Sequence, residues 1–463
     1  MATLTEGVRL IQSKYEGSSK RMVCATFFAC IGALSFGYTI GYSSPAIPSM
    51  LKARVLEEKD VGWFGSLMTI GALAGGPFGG WCIEKFGRRK SILLSSLPFI
   101  FGWLAIVYAT DSKLLFQGRF ATGFASGMVT VCIPIYLAEI STKSMRGVLG
   151  SCMQLCITVG IFWVYTAGLK LEWQSMASVA IIPAVLQFVA VYFLPETPQW
   201  LLSKGRKADA LKALKAIRDP HQDVQEECRD IDEGFDHNEE FSWSEFRKSE
   251  LMQPLIICSA VLAFQQFSGI NAVMFYTVSI FQTAIPNHAH IATVIIGGVQ
   301  VVATVVACFL MDRAGRRKLL IGAGIVMTIT LLLFGQYYRL LASESLTSSL
   351  KTWFPVICLT FYMIGFSLGW GPIPMLLMSE IFPSRARGAA SAIAMFVSWL
   401  TSFFVTNEFM TMQNMFGASG TFNMFGFSCL LSVIFVWRYV PETKGKSLED
   451  IELYFLGKSI IKV

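Results

Sequence analysis

Gln265-Gln266-Phe267-Ser268-Gly269-Ile270-Asn271-Ala272-Val273-Met274-Phe275-Tyr276 lies inside an otherwise apolar segment that runs from Leu255 to Ile285. Three amides in such a segment need an explanation, because an uncompensated polar group in hydrocarbon costs several kcal/mol. They are tolerated only where they face protein partners, a wet cavity or a ligand. On an ideal helix, with about 100° between successive residues, Gln266 and Asn271 point roughly 140° apart and cannot serve one site. The segment is therefore expected to bend, and Gly269 beside Ser268 is where a helix loosens at least cost. A single amide would read as a cross-link between neighbouring helices. A Gln-Gln-x-x-Gly-x-Asn cluster followed by Phe275 and Tyr276 reads instead as a polar, aromatic-lined solute site on a broken helix.

The chain around this segment has 463 residues, of which 54% are hydrophobic and only 15% charged, with a mean hydropathy of +0.54. That composition excludes an ordinary soluble globule. Apolar runs long enough to span roughly 30 Å of hydrocarbon begin near Met22, Val61, Ser91, Leu114, Val148, Met176, Leu251, Ile291, Leu319, Trp353, Ala389 and Gly420, which predicts an all-α membrane protein of twelve spans. The first 21 residues carry Glu6, Arg9, Lys14, Glu16, Lys20 and Arg21 with no apolar core, so no cleavable signal is expected. Basic residues concentrate in alternate loops, and the other loops hold only Lys52, Arg54, Lys59, Lys113, Arg119, Lys170, Arg339 and Lys351. This bias predicts that both termini are cytosolic. The net charge of +7 follows from it and is not a nucleic-acid signal. Eleven scattered cysteines and four loop histidines suggest neither a disulfide framework nor a metal site, and no cofactor is implied.

Internal repetition organises the chain. Glu84-Lys85-Phe86-Gly87-Arg88-Arg89-Lys90 recurs as Asp312-Arg313-Ala314-Gly315-Arg316-Arg317-Lys318. Glu139-Ile140 with Arg146-Gly147 recurs as Glu380-Ile381 with Arg387-Gly388, and Pro195-Glu196-Thr197 recurs as Pro441-Glu442-Thr443. Three motifs repeated in one order mean two six-helix halves of like orientation. The expected domains are a cytosolic tail over 1–21, a first bundle over 22–195, a cytosolic linker with amphipathic helices over 196–250, a second bundle over 251–440 and a second tail over 441–463. Within the linker, 208–217 has helical spacing, and Asp230 to Glu240 reads as an acidic surface turn. Gly71, Gly75, Gly76, Gly79 and Gly80 in the second span suggest close helix packing. Pro372 and Pro374 predict a bend in the tenth.

Taken together these motifs resemble the sugar porters of the major facilitator superfamily, and within them the facilitative hexose transporters, over essentially the whole chain. The doubled G-R-R-K and E-x(6)-R-G motifs, Pro195-Glu196-Thr197-Pro198, Gln265-Gln266 through Asn271, Gly371-Pro372-Ile373-Pro374 and Pro441-Glu442-Thr443-Lys444-Gly445 occur in the family's order. The resemblance implies the major facilitator fold. It also implies a sugar site made of Gln265, Gln266 and Asn271 with Gln154 and Gln300, walled by Trp399 and, near the Gly-Pro-Ile-Pro run, by Trp370. Gln154 is independently the lone amide of its apolar helix; Trp399 fits helix packing equally well. Departures from the pattern are Gln300 for a common Asn, Met375 for a common Trp, Ser367 for a common acid and Gln199 for a common Arg. Gly41-Tyr42-Ser43-Ser44-Pro45 and the short loop after the first span resemble the intracellular, third-class branch.

Neutral amides suit sugar hydroxyls, because both donate and accept. The expected function is facilitative uniport of a monosaccharide such as glucose by alternating access, with the bilayer and the sugar as partners. Arg88, Glu139, Arg146, Glu196, Asp312, Arg316, Glu380 and Arg387 are expected to build charge networks that lock the inner gate. Alternatives are a proton-coupled sugar or polyol symporter, a disaccharide facilitator of trehalose type and a non-transporting sugar sensor. The first span argues against the symporter: no acid occurs from Met22 through Leu56, and Gly37-Tyr38 precedes Thr39, as Gly41-Tyr42 precedes Ser43, where related symporters carry Asp. No nucleophile-base pair or metal cluster points to an enzyme. Glu6, Leu10 and Ile11 fit an acidic dileucine pattern read by sorting adaptors, so the plasma membrane and the endosomal-lysosomal membranes are both expected addresses.

Overall fold

The computed structural model describes residues 20–142, 145–219, 224–233, 246, 249–343, 348–382, 386–444, 446, 451 and 454–455. The first half contains α1 (Lys20–Lys52), α2 (Val61–Phe86), α3 (Arg88–Val107), α4 (Ser112–Ile140), α5 (Arg146–Ala167) and α6 (Trp173–Ala190). Three short helices follow: α7 (Pro198–Ser203), α8 (Lys207–Ile217) and α9 (Val224–Glu233). The second half contains α10 (Ser249–Phe267), α11 (Ile270–Ala284), α12 (Ala289–Ala314), α13 (Arg316–Ala342), α14 (Ser348–Gly365), α15 (Ile373–Ile381) and α16 (Arg387–Tyr439).

Ten of the described stretches are long and apolar enough to cross a membrane. One of them, Gly388–Tyr439, has 52 residues, and at about 1.5 Å per residue it is far too long for one crossing of roughly 30 Å. Its backbone leaves helical angles at Gly417, with φ 68° and ψ 168°, so α16 holds two crossings. The remaining crossing is α2, whose glycines dilute its hydropathy. Twelve spans result, as the sequence predicts.

Glycines in α2 explain its low hydropathy by packing. A Cβ at Gly71 would lie 2.3 Å from the Phe120 carbonyl oxygen and one at Gly75 2.0 Å from that of Phe124, both on α4. The two backbones touch, as small residues allow in a membrane. Gly76 and Gly80, by contrast, face open space.

The repeated motifs meet pairwise. Gly87 and Gly315 take φ of 91° and 90°, a left-handed turn that suits glycine, and each is followed directly by a new helix. Glu196 accepts from the backbone N–H of Arg88 at 2.9 Å, and Glu442 accepts from that of Arg316 at 2.9 Å. Each Pro-Glu-Thr acid therefore caps the helix after the matching Gly-Arg-Arg turn, where the helix dipole favours an anion. Burial pushes the Glu196 carboxyl above its ordinary range, and the N–H groups of Thr197, Arg89 and Arg88 pull it back.

In the linker, Ala210, Ala213, Leu214 and Ile217 form the buried stripe of α8. Arg218 at its end pairs with Glu227 at 2.8 Å and donates to the Ile140 carbonyl at 2.8 Å, fastening the linker to the end of α4. Asp230 to Glu233 belong to α9, so this part of the acidic stretch is helical; residues 234–240 lie outside the described ones. Its acids were expected in a turn, yet they follow the same amphipathic period as the helix before them.

Candidate functional site

The seventh span breaks where the sequence predicts. Helix α10 ends at Phe267, Gly269 takes φ 82°, and α11 starts at Ile270. An added Cβ at Gly269 would lie 2.4 Å from the Phe425 ring, so the turn has no room for a side chain. The break brings the three amides into one chain of hydrogen bonds. Asn271 Nδ2 donates to Gln266 Oε1 at 2.7 Å, and Gln266 Nε2 donates to Gln265 Oε1 at 3.2 Å. Gln265 Nε2 then donates to the carbonyls of Trp370 and Gly371.

The tenth span supplies those carbonyls because it too is irregular. Its bend is a π-helical stretch, Phe366–Trp370, between α14 and α15, one turn before the prolines. Such insertions expose backbone groups at functional sites. From α16, Ser398 Oγ accepts from Gln266 at 3.1 Å and Ser402 Oγ accepts from Asn271 at 2.7 Å. These two serines were not anticipated. Their spacing of four residues on one apolar helix face is the signal that could have found them.

The other predicted members are placed as follows. Gln300 on α12 is 1% exposed; its Nε2 meets Met274 Sδ at 3.9 Å, one turn past Asn271, and its Oε1 has no partner among the described residues. Trp399 stands beside Ser398, packs edge-on against Phe36 of α1 with centroids 6.3 Å apart, and leaves its buried Nε1 unpartnered among the described residues. Gln154 on α5 is half-buried and makes no side-chain hydrogen bond among the described residues. Trp370 is not brought into the set by its ring. Its indole donates to the Leu320 carbonyl of α13 at 3.0 Å and is 1% exposed, so only its backbone reaches Gln265. The π-helical geometry turns the ring away while presenting the carbonyl.

Several polar contacts among the described residues join the halves on the side away from the basic loops. Tyr165 Oη donates to the Met274 carbonyl at 2.9 Å, Val278 N–H donates to Ser44 Oγ at 3.0 Å, Ser66 Oγ donates to Asn407 Oδ1 at 3.1 Å, and Tyr276 Oη lies 3.4 Å from the Val61 carbonyl. At the basic side, Arg88 pairs with Glu139 at 2.7 Å and Arg316 with Glu380 at 2.9 Å. Each pair lies inside one half and is formed in this conformation, so neither is a contact that closure alone creates. Among the described residues, Glu139 Oε2 is buried without a partner. The side chains of Arg146, Asp312 and Arg387, and the whole of Glu6, Leu10 and Ile11, lie outside the described set.

Arg119 of α4 is completely buried and has neutral partners. It donates to the Thr39 carbonyl at 3.0 Å, to Ser43 Oγ at 2.7 Å and to the Phe64 carbonyl at 3.3 Å, with its guanidinium 5.1 Å from the Phe64 ring centroid. Of Thr39 and Ser43, the two hydroxyl residues that follow a Gly-Tyr pair or stand where related symporters carry Asp, Ser43 therefore occupies the side-chain position facing the arginine. Glu408 is exposed at the end of the eleventh span and accepts from Asn407 Nδ2 at 2.9 Å.

The family model described as "Sugar (and other) transporter" matches residues 25–455. The chain is 38% identical over 459 residues to solute carrier family 2, facilitated glucose transporter member 8, of Mus musculus, with 95% of each chain covered. It is 38% identical over 448 residues to the facilitated trehalose transporter Tret1 of Drosophila virilis, covering 94% of this chain and 49% of that one. Among solved structures, the partially occluded inward open conformation of the xylose transporter XylE from E. coli superposes with a TM-score of 0.79 at 26% identity, covering 93% of this chain and 100% of that one. The proton:xylose symporter XylE bound to 6-bromo-6-deoxy-D-glucose gives 0.77 at 26% identity, covering 95% and 100%.

Proposed function

This chain belongs to the family of sugar transporters, and from that premise we propose that it carries a hexose such as glucose across a membrane as a uniporter, by alternating access about the break in the seventh span. It is a multi-pass membrane protein of the major facilitator fold, and it moves its substrate without chemical change. The observation that carries the site is the amide chain from Asn271 to Gln265, with spare polar capacity at Gln154, Gln300 Oε1 and Trp399 Nε1 on the elements around it. Neutral hydrogen bonds contribute only about 0.5–1.5 kcal/mol each, which suits a carrier that must release what it binds.

The basic side is the cytosolic side in this reading, by the positive-inside bias. The halves are joined at the other side, so the conformation is inward-facing. The likeness to an inward open relative supports this. Closure of the basic side would then bring a cation of the second half to the unpartnered Glu139 Oε2. Neutralising the acid as Glu139→Gln should shift the carrier toward inward-facing states, since only contacts that differ between states bias the equilibrium. Cysteine accessibility measured from each side reads this out, and an unchanged pattern would reject the role.

Glu6, Leu10 and Ile11 support delivery to endosomal or lysosomal membranes by sorting adaptors. A tagged Leu10→Ala, Ile11→Ala double variant should move to the cell surface; no redistribution would remove the motif from the account. Uptake into proteoliposomes with a panel of hexoses, pentoses, inositol and disaccharides tests the substrate class. Transport of a hexose is expected, and uptake confined to trehalose would favour the disaccharide reading that the Tret1 relatives motivate.

A further inference from the structure

The amides of the seventh span are tied in one direction, and both N–H hydrogens of each are engaged by protein. Gln265 Nε2 donates to the carbonyls of Trp370 and Gly371, Gln266 Nε2 to Gln265 Oε1 at 3.2 Å and Ser398 Oγ at 3.1 Å, and Asn271 Nδ2 to Gln266 Oε1 and Ser402 Oγ, each at 2.7 Å. The carbonyls set the direction, because a carbonyl only accepts. Turning Gln265 over would press its oxygen against two others, and each later amide would then face the wrong neighbour. Pro374 favours this arrangement: in an α-helix the Trp370 oxygen takes the N–H of residue 374, and proline has none. What the row still offers is oxygen. Asn271 Oδ1 is bonded to nothing among the described residues, and Gln266 Oε1 and Gln265 Oε1 each hold a second lone pair. Gln300 Oε1 is likewise unpartnered among the described residues, and an unused donor beside them is Trp399 Nε1 of α16.

We infer that Ser398 and Ser402 are specificity-determining residues that set the polarity of the sugar site: by taking amide hydrogens of Gln266 and Asn271, they leave the seventh span able to recognise a ligand hydroxyl only as a hydrogen donor. Ser398 is 4% exposed and Ser402 fully buried, so both contacts stand away from water. Without these hydroxyls each amide would have an N–H to turn toward the cavity, and it would take donor and acceptor ligands alike. The substrate class narrows accordingly. A ring position lying over the amides needs an O–H; an ether, a fluorine or a keto oxygen accepts but cannot donate, and it would meet amide oxygen with no hydrogen between them. A position beside Trp399 has the opposite need, an atom that accepts from the indole N–H. A site built on such a hydrogen bond rejects the analogue lacking it more strongly than an apolar pocket rejects a change of size.

The inference rests on the reading of the amides as a hexose site, and competition measurements separate the two. Purified protein in proteoliposomes takes up radiolabelled D-glucose in the presence of deoxy- and deoxyfluoro-D-glucose analogues, each altered at one hydroxyl. At one or more positions the fluoro analogue should compete about tenfold more weakly than D-glucose, and no better than the deoxy analogue there. Ser402→Ala and Ser398→Ala should each cut that ratio about threefold, because an amide hydrogen becomes available to fluorine. Ser402→Thr keeps the hydroxyl and should keep the wild-type ratio. If one alanine variant fails to fold, the wild-type panel and the other variant decide. Fluoro analogues that compete within about twofold of D-glucose at every position would overturn the inference, since the amides would then be donating. So would alanine variants that change the affinity for D-glucose and for the analogues by the same factor, the result of a merely structural role. Absence of saturable D-glucose uptake by the wild-type protein would instead overturn the hexose reading, and the inference with it.

Discussion

Alanine at Gln265 is expected to lower sugar flux by about ten- to a hundredfold while the protein folds and inserts normally. The side chain stands at one end of the chain Asn271 to Gln266 to Gln265, and its Nε2 anchors that chain to carbonyls of the tenth span. In the proposed site, truncation would remove one sugar contact, worth about 0.5–1.5 kcal/mol by itself, and would also free Gln266 to turn. The effect should exceed that of a single contact because linked hydrogen bonds orient one another. Gln154→Ala provides the contrast. That amide has no partner among the described residues, so its loss should raise half-saturation about two- to tenfold through the substrate alone. Uptake kinetics on both purified variants decide the matter. If both transport at the wild-type rate and half-saturation, the site is elsewhere.

Placing an acid at Ser43 should have an effect of another kind, making an indifferent carrier sensitive to protons. Arg119 sits fully buried, donating to carbonyls and a hydroxyl with an aromatic face beside it. A proton can be coupled to sugar only if some group binds it with different affinity in the two facing states. Arginine does not titrate near neutral pH, and Glu408 is exposed at a span end. In the wild-type protein, sugar flux should therefore be unchanged by a protonophore. In Ser43→Asp, the new carboxylate would be 2.7 Å-scale hydrogen-bonding distance from the guanidinium, where charge pairing favours the anion and burial opposes it. Movement of the halves alters that balance, so flux should acquire a pH dependence of several-fold near neutrality. A flat profile in Ser43→Asp, with the protein folded, would show that this position does not communicate with sugar binding.

Much of this was legible in the chain because membrane physics writes large signals. Apolar length gave the spans, and α16 needed only the recognition that 52 residues exceed one crossing. The doubled motifs foretold two halves, and the fold repeats them down to matching φ at Gly87 and Gly315. The angle between Gln266 and Asn271 demanded a bend, and Gly269 supplies it.

Other parts were hidden for physical reasons. Ser398 and Ser402 gave only the weak signal of their four-residue spacing, because a serine in an apolar helix can satisfy itself on its own backbone. Trp370 read as an aromatic wall, whereas its contribution near the amides is a carbonyl, which no side-chain identity encodes. The prolines drew the bend of the tenth span to themselves, yet it falls at Phe366–Trp370, where a π-helical turn absorbs it. The basic-side charges read as a lock between halves. Their described pairs are internal, because residues close along a repeated motif meet within the repeat before they meet across it.

The central claim is that amides at a broken helix carry sugar down its gradient with no coupled ion. Purified protein in liposomes, placed in buffer containing radiolabelled hexose and given an imposed inward proton gradient, tests it most directly. Uptake should stop when internal and external sugar concentrations are equal, proceed at the same rate with a protonophore, and show exchange against unlabelled sugar. Accumulation above the external concentration that collapses with the protonophore would contradict the account.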